Sequence, residues 1–399
     1  MQRRAEALDL RTCPACGEAV SRELFRVERV PVNSVRLHRT AADARAVPRG
    51  AIALGACVGC GFVRNLRFDP SLVDYSPGYE STQAYSETFA GFQDALARAL
   101  VQRHGLRGRR IAEIGCGRGE LLSLLCRLGG NSGVGYDPSL DPRAPAPGPT
   151  VRLVPRRFED AAPAPADFHL CVMTLEHVDA PDRLVAAIAA AGRRAGAGRG
   201  YFQVPDARRI FAEAAFWDVY YEHCNYFSEA SLGRLLARQG IAVDRIERGF
   251  DDQYLMADVR FDRAGAAPAD ADDVPADWGG RIARSIAAWR TWVGAMAAAG
   301  RSVALWGGGS KAVAFLSAIG EAPAIRAIVD VNPRKDGTFL AGAGLPVFGP
   351  HRLADLHVDH VIAMNPIYRG EIMRDLAAAG VPAALTTVDL DPPASPIDG

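Results

Sequence analysis

The chain of 399 residues has no net charge to spend on a partner: 46 Lys and Arg balance 46 Asp and Glu. It also lacks a long basic run, which argues against a nucleic acid or a membrane surface held by bulk electrostatics. No stretch of about 18 uninterrupted apolar residues occurs, so no spanning helix is expected. The first residues, MQRRAEALDLRTC, contain arginines but no apolar core, and do not read as a secretory signal. The expected compartment is therefore the cytoplasm. Cysteine is scarce, with 8 in all, and half of it sits in two tight pairs. In a reducing compartment these are not expected to form a disulfide framework. No longer-range repeat points to a solenoid. Hydrophobic residues, at 49%, are plentiful enough to fill two or three domain cores.

The most informative stretch is IAEIGCGRGE, followed by GVGYDPS. An apolar run ends in Glu113. Gly115, Gly117 and Gly119 follow at alternate positions, and then the helical pattern LLSLLCRLG. A second short strand pattern ends at Asp137, about 20 residues on, where a ribose-binding acid belongs. Glycines let the backbone turn sharply and let a ligand lie against it. The spacing G-x-G-x-G differs from the G-x-G-x-x-G of dinucleotide binders, in which the helix start faces a pyrophosphate. The acid just before the glycines suits a ligand with a cationic amine. S-adenosylmethionine carries an amine and a sulfonium and no phosphate. The residues resemble motif I of class I methyltransferases.

Three segments follow from the patterning. Residues 1–70 hold Cys13-Pro-Ala-Cys16 and Cys57-Val-Gly-Cys60, each followed by glycine. Two such knuckles give four thiolates for a closed tetrahedral site, a structural zinc with Cys13, Cys16, Cys57 and Cys60 as ligands. The competing redox reading lacks a thioredoxin-like βαβ context. The stretch RVERVPVNSVRL between the pairs is expected to be a small hairpin insertion. Residues 71–262 read as a Rossmann-like α/β sheet with one reversed strand. Strand ADFHLCVMTLEHV carries Glu176 and His177 at its C-terminal end, where ligands of open α/β sheets bind. Residues 263–278, rich in Ala, Asp and Pro, read as a linker. Residues 279–399 begin with a helix and then SVALWGGGSKAVAF, a second strand and glycine turn. Gly307, Gly309 and Ala312 match a dinucleotide fingerprint, and a following strand ends in Asp330. The remainder is short for a nicotinamide domain. A Rossmann-like unit without a cofactor, shaping the acceptor side through Gly307, Gly309 and Lys311, is the favoured reading.

Residues 220–228 read YYEHCNYFS. Histidine is the usual base near neutral pH, and an adjacent carboxylate can orient it. A tyrosine can donate to a developing oxyanion. His223, Glu222 and Tyr220 are therefore the candidate catalytic group.

With these motifs in place, the chain resembles the sugar C-methyltransferases, which alkylate the carbon beside the ketone of nucleotide-linked deoxysugars. The resemblance covers nearly the whole length: CxxCG pairs, a central methyltransferase domain, and a C-terminal Rossmann-like domain. The family motif is similar to Y-H-E-H-x-S-Y-F-S. It implies His223 as base with Glu222 and Tyr220 beside it, and Tyr79 as a further active-site tyrosine. Tyr221 and Asn225 stand where the motif has histidine and serine; with Tyr226 they are expected on the acceptor side. The implied fold is a class I methyltransferase sheet flanked by a zinc-binding domain and a Rossmann-like domain. The implied reaction is methylation of a ketone-activated carbon, with S-adenosylmethionine as donor, no catalytic metal, and a small-molecule acceptor in secondary-metabolite biosynthesis such as that of an antibiotic. A non-sugar acceptor methylated at C, O or N, and a non-catalytic binding protein, are the competing readings. The sequence assigns no oligomeric state. Metal analysis of the undenatured protein should find about one zinc per chain; a substantially lower content removes the proposed site.

Overall fold

The computed structural model describes residues 11–75, 78–143, 145–196, 198–268 and 274–393. Most of the N-terminal stretch read above, and residues 269–273 of the expected linker, lie outside them. Three sheets follow one another along the chain. The first has the order β1-β2-β3-β9. Strand β1 (Val20–Pro31) runs antiparallel to β2 (Arg49–Cys57), and the short helix α1 (Ala41–Arg45) lies in their connection. Strand β3 (Val63–Asn65) completes the N-terminal part. RVERVPVNSVRL is thus not a hairpin of its own. It is the second half of a twelve-residue strand and its exit, because alternate residues of β1 have partners all along β2.

The central sheet begins after α2 (Glu87–His104). Strand β4 (Arg110–Ile114) leads through the glycine turn into α3 (Glu120–Gly129). Leu121, Leu122, Leu125 and Cys126 line the buried face of α3, the spacing of an amphipathic helix. Then come β5 (Ser132–Tyr136), β6 (Val151–Val154), β7 (Phe168–Val172), α4 (Pro181–Arg194), β8 (Arg199–Pro205) and α5 (Ala207–Ala212). Strand β9 (Asn225–Tyr226) leaves this run to pair with β3 of the first sheet. After α6 (Glu229–Arg238), the hairpin β10 (Ala242–Gly249) and β11 (Tyr254–Arg260) closes the sheet. Its order is β10-β11-β8-β7-β4-β5-β6, parallel except around β11. The order reverses direction at β4, so a crevice opens beyond the C-terminal ends of β4, β5 and β7.

Helix α7 (Trp278–Ala298) leads to the third sheet. This contains β12 (Val303–Trp306), α8 (Ser310–Ile319), β13 (Ile325–Val329), β14 (Val347–Phe348), α9 (Leu353–Leu356), β15 (His360–Ala363), α10 (Arg369–Ala378) and β16 (Ala384–Thr387). All its pairings are parallel, in the order β14-β13-β12-β15-β16. The architecture is a mixed α/β fold with a class I methyltransferase sheet at its centre.

Aromatic rings on α7 join the three sheets. Trp278 packs edge-on against Phe25 of β1 and Phe211 of α5, at 6.1 and 5.1 Å between centroids. Trp289 packs against Phe315 of α8 at 5.3 Å. Both tryptophans are buried, and one apolar cluster runs through all three parts of the chain. Each such ring contributes about 2–3 kcal/mol by burial, and edge-to-face pairs add more. The relative placement of the sheets is therefore set by a continuous core.

Candidate active site

The glycine turn forms as a left-handed excursion at the end of β4. Gly115 has φ +71°, and a Cβ there would lie 1.9 Å from Thr174 Oγ1. Only glycine lets the turn lie so close to the loop after β7. Gly117 N–H donates to Asp137 Oδ2 at 2.9 Å, and Ser139 N–H donates to Oδ1 at 2.8 Å. Gly119 begins α3 in the left-handed conformation. Asp137 is thus held rigidly at the tip of β5 by the turn it serves.

Two carboxyls near this turn are buried and unsatisfied. Glu113 is 3% exposed and its Oε2 has no partner among the described residues. Burial pushes its carboxyl up to about 8. Glu176, just after β7, is 1% exposed with both oxygens unpartnered, and burial likewise pushes it up to about 8. Buried carboxyls without partners are costly unless neutralised or met by a cation. A cation with hydrogen-bond donors, such as an ammonium, would complete such a group.

The 220–228 segment meets this region from the other side. Tyr220 Oη lies 2.8 Å from His223 Nε2, with ring centroids 4.1 Å apart. Burial, His177 and Lys311 hold the His223 imidazole well below its usual range, so it is neutral. Burial holds the Tyr220 phenol well above its own, so it is protonated. His177 faces His223 edge-on at 4.7 Å, and its Nδ1 lies 3.1 Å from the Glu222 carbonyl oxygen. That carbonyl can only accept, so His177 Nδ1 carries the proton. Glu222 is fully buried; burial raises its carboxyl, and hydrogen bonds from Ser34 oppose the rise. Ser34 N–H and Oγ–H both donate to Glu222 Oε1, at 2.5 and 2.7 Å. Ser34 Oγ also lies 2.7 Å from Ser310 Oγ, at the start of α8. All three parts of the chain therefore meet at one carboxylate, whose other oxygen is unpartnered.

Tyr79 comes from the segment before α2 and packs 5.2 Å from the Tyr75 ring. Burial, with the charges of Glu222 and Asp137, holds the Tyr79 phenol well above its usual range. Tyr75 also stands edge-on to His177 at 6.3 Å, and its hydroxyl is buried without a partner. Tyr226 likewise buries an unpartnered hydroxyl.

Two residues expected on the acceptor side make framework contacts. The Tyr221 hydroxyl accepts from Asp69 N–H at 2.8 Å, and its ring packs on Phe68 at 5.4 Å. It fills the space above Gly50 in the first sheet, where a Cβ would come within 2.1 Å of the ring. Asn225 Nδ2 donates to the carbonyls of Leu175 and Val178, at 3.0 and 2.6 Å, and ties β9 to the loop after β7. Asn225 pairs with Arg64 in the β9–β3 ladder, and Tyr221 precedes that strand.

The third sheet repeats the lock of the first turn. Gly308 N–H donates to Asp330 Oδ2 at 2.7 Å, as Gly117 does to Asp137. Gly307 has φ +112°, and Gly309 immediately precedes α8. The chain has only two lysines, and both serve this turn. Lys335 Nζ bonds Asp330 at 2.9 Å, and Lys311 pairs with Asp218. Arg209 also binds Asp218, at 2.7 Å. Burial raises the Asp218 carboxyl, but Lys311 and Arg209 outweigh it and hold it low.

At the N-terminus, Cys13 Sγ lies 3.6 Å from Cys60 Sγ, and Cys16 Sγ lies 3.4 Å from Cys57 Sγ. All four sulfurs lie within 4.8 Å of one another. A tetrahedron with metal–sulfur bonds of about 2.3 Å needs sulfurs roughly 3.8 Å apart, so the set fits such an ion. Gly17 and Gly61, at φ +89° and +70°, turn each knuckle.

Ser34, Tyr75 and the Glu80–Arg118 pair escaped the sequence reading. Tyr75 and Glu80 flank Tyr79 and carried a proximity signal; Ser34 lies 188 residues from Glu222 and carried none.

Residues 86–246 match a methyltransferase domain, and residues 266–381 match a C-methyltransferase C-terminal domain. No curated protein matches the chain. Among solved structures, the magnesium protoporphyrin IX methyltransferase of Synechocystis, with bound S-adenosylhomocysteine, is 14% identical. That likeness covers 43% of this chain and 83% of that one, with a TM-score of 0.34. The 1,6-didemethyltoxoflavin-N1-methyltransferase of Burkholderia thailandensis is 19% identical, over 45% of this chain and 84% of that one, at 0.34. An S-adenosylmethionine-dependent methyltransferase of Mesorhizobium loti is 18% identical, over 42% and 96%, at 0.34. The glycine turn, the sheet order and the first domain match define a methyltransferase. The chain carries that methyltransferase domain followed by a C-methyltransferase C-terminal domain. Among the described residues, no helix is long and apolar enough to cross a membrane.

The raised Glu113 carboxyl has a consequence for binding. A cationic donor favours the ionised form, so binding releases a proton. Adenosylmethionine affinity should therefore rise from pH 6 to 8 in calorimetry, and Glu113→Gln should flatten the rise. A wild-type affinity that is level across this range contradicts the assignment.

Proposed function

We propose that the enzyme methylates a carbon made acidic by a neighbouring ketone, on a nucleotide-linked deoxysugar. The observation that carries this reading is a neutral, buried His223 held against the Tyr220 hydroxyl, beside a second wall of unsatisfied carboxyls. The C-methyltransferase C-terminal domain supports carbon as the acceptor atom. In this reading Glu113, Gly115, Gly117, Gly119 and Asp137 hold the donor, with Glu176 and His177 closing the site. Asp137 accepts from the ribose hydroxyls, and Glu113 and Glu176 face the cationic end. Bound adenosylmethionine supplies an electrophilic methyl group and leaves as a neutral thioether.

His223 and Tyr220 remove the acceptor proton as a pair. Either the imidazole takes it directly at Nδ1, or Tyr220 takes it while passing its own proton to Nε2. Both routes leave the proton on the pair and an enolate on the acceptor. An unactivated C–H bond is far too weak an acid for this, which is why the ketone is required. Tyr79 and Tyr75, both protonated, are the hydroxyl donors available to the enolate oxygen. Glu222, fixed by Ser34, orients the segment that carries the base. The buried walls exclude water, and the fold holds carbanion and methyl in line. The C-terminal turn, with Gly307, Gly309 and Lys311, forms the acceptor's nucleotide side, and Tyr226 offers it a free hydroxyl. The segments 1–70, 71–262 and 279–399 act as a zinc-binding domain, a methyltransferase domain and an acceptor-side domain. In the first, zinc held by Cys13, Cys16, Cys57 and Cys60 stabilises the β1–β3 sheet that presents Ser34.

The test uses a thymidine diphosphate 4-keto-6-deoxyhexose in heavy water without methyl donor. Wild-type protein should exchange the hydrogen on the carbon beside the ketone. His223→Ala should bind adenosylmethionine normally by calorimetry, yet lose exchange and turnover by about 100-fold or more. Methyl transfer without wild-type exchange would favour an oxygen or nitrogen acceptor, and normal turnover by His223→Ala would remove it as the base.

A further inference from the structure

The two glycine turns are joined by a line of hydrogen bonds. In the third sheet, Gly308 N–H donates to Asp330 Oδ2 at 2.7 Å, and Asn332 N–H donates to Oδ1 at 2.9 Å. The Asn332 side-chain amide donates to Glu80 Oε1 at 3.2 Å. Arg118, set between Gly117 and Gly119 of the first turn, donates to Glu80 Oε2 at 2.5 Å. Gly117 then donates to Asp137. One carboxylate, 2% exposed, therefore links the donor turn to the exit of β13.

Glu80 belongs to the segment 78–86, which is tied at several points. Tyr79 forms a bridge with Arg36, and Glu80 N–H donates to the Val35 carbonyl at 3.1 Å. Thr82 Oγ1 donates to Glu120 at 2.5 Å, at the start of α3. Tyr368 donates to Gln83 at 2.9 Å, and Ser86 donates to Glu371 of α10 at 2.7 Å. The segment carries Tyr79, whose ring packs on Tyr75 at 5.2 Å.

We propose that Glu80 is a positioning residue that latches this segment over the donor turn, so that the third sheet governs how fast the donor site opens. Opening must separate Glu80 from Arg118, from Asn332, or from both. Losing Asn332 strands Oε1 of a carboxylate that is 2% exposed, and losing Arg118 leaves Oε2 with only the longer Arg334 pair at 3.9 Å; removing a partner of a buried charge is strongly unfavourable. The two contacts act on opposite oxygens of one group. Loosening Asn332 therefore weakens the hold on the donor turn without touching it. The proposal rests on the reading that residues 115–119 hold the donor and needs nothing about the acceptor.

S-adenosylhomocysteine and S-adenosylmethionine are the probes, with full-length protein. Asn332→Ala should speed release of S-adenosylhomocysteine by about three- to tenfold in stopped flow. The same variant, without ligand, should show faster amide exchange in residues 78–86. Glu80→Gln should act in the same direction, more strongly, and alike on both ligands. Release and exchange within twofold of wild type in Asn332→Ala would overturn the latch. So would a Glu80→Gln effect confined to the sulfonium ligand, which marks a local charge effect on Arg118. If Glu80→Gln does not fold, Asn332→Ala decides alone. If wild-type protein binds neither ligand, the donor reading falls, and amide exchange in Asn332→Ala still judges the latch.

Discussion

Glu222 cannot be buried as it is unless something donates to it, and the turn after β1 does so. Asn33 adopts a left-handed conformation, φ +65°, that most residues avoid. In this shape the backbone amides of residues 33 and 34 form a concave donor pair, the geometry that binds anions elsewhere. The Ser34 hydroxyl adds another donor and reaches Ser310 of the third sheet. The Asn33 side chain, in turn, accepts from Asp74 N–H and donates to the Leu72 carbonyl, fixing the approach to Tyr75. A single carboxylate thus ties the first sheet to the histidine segment, and Ser34 extends the tie to α8. The part of the chain that carries the four-cysteine cluster thereby also reaches the histidine segment.

Satisfied and unsatisfied carboxyls divide the interior by function. Asp137, Asp330, Asp218 and Glu80 each have two or more donors, and they hold turns and sheets together. Among the described residues, both oxygens of Glu176 and one each of Glu113 and Glu222 lack partners. Folding tolerates such groups only where another species completes them. The contrast separates framework from reaction surface more sharply than burial does, since nearly all of these groups are buried.

Much of this was legible in the chain itself. Alternate glycines after an apolar run and an acid 20 residues on marked the first glycine turn, because few other residues permit that backbone. Two CxxCG knuckles fixed the cysteine cluster, because the sulfurs of each pair are brought together by local turns. The histidine segment was legible as a concentration of titratable and phenolic groups. The contacts of Tyr221 with Asp69 and of Asn225 with Leu175 and Val178 carried no signal in the chain, because a residue pattern is the same whether side chains meet a ligand or a neighbouring segment.

Sequence by itself determined the elements, the two turns and the identity of the chemical groups, since each depends on residues within about one element of one another. Tertiary structure alone decided which carboxyls are completed and which are left bare. It brought Ser34 to Glu222 and Asn332 to Glu80, contacts spanning 188 and 252 positions. Hydrogen bonds act over about 3 Å of space, and sequence separation carries no record of that distance.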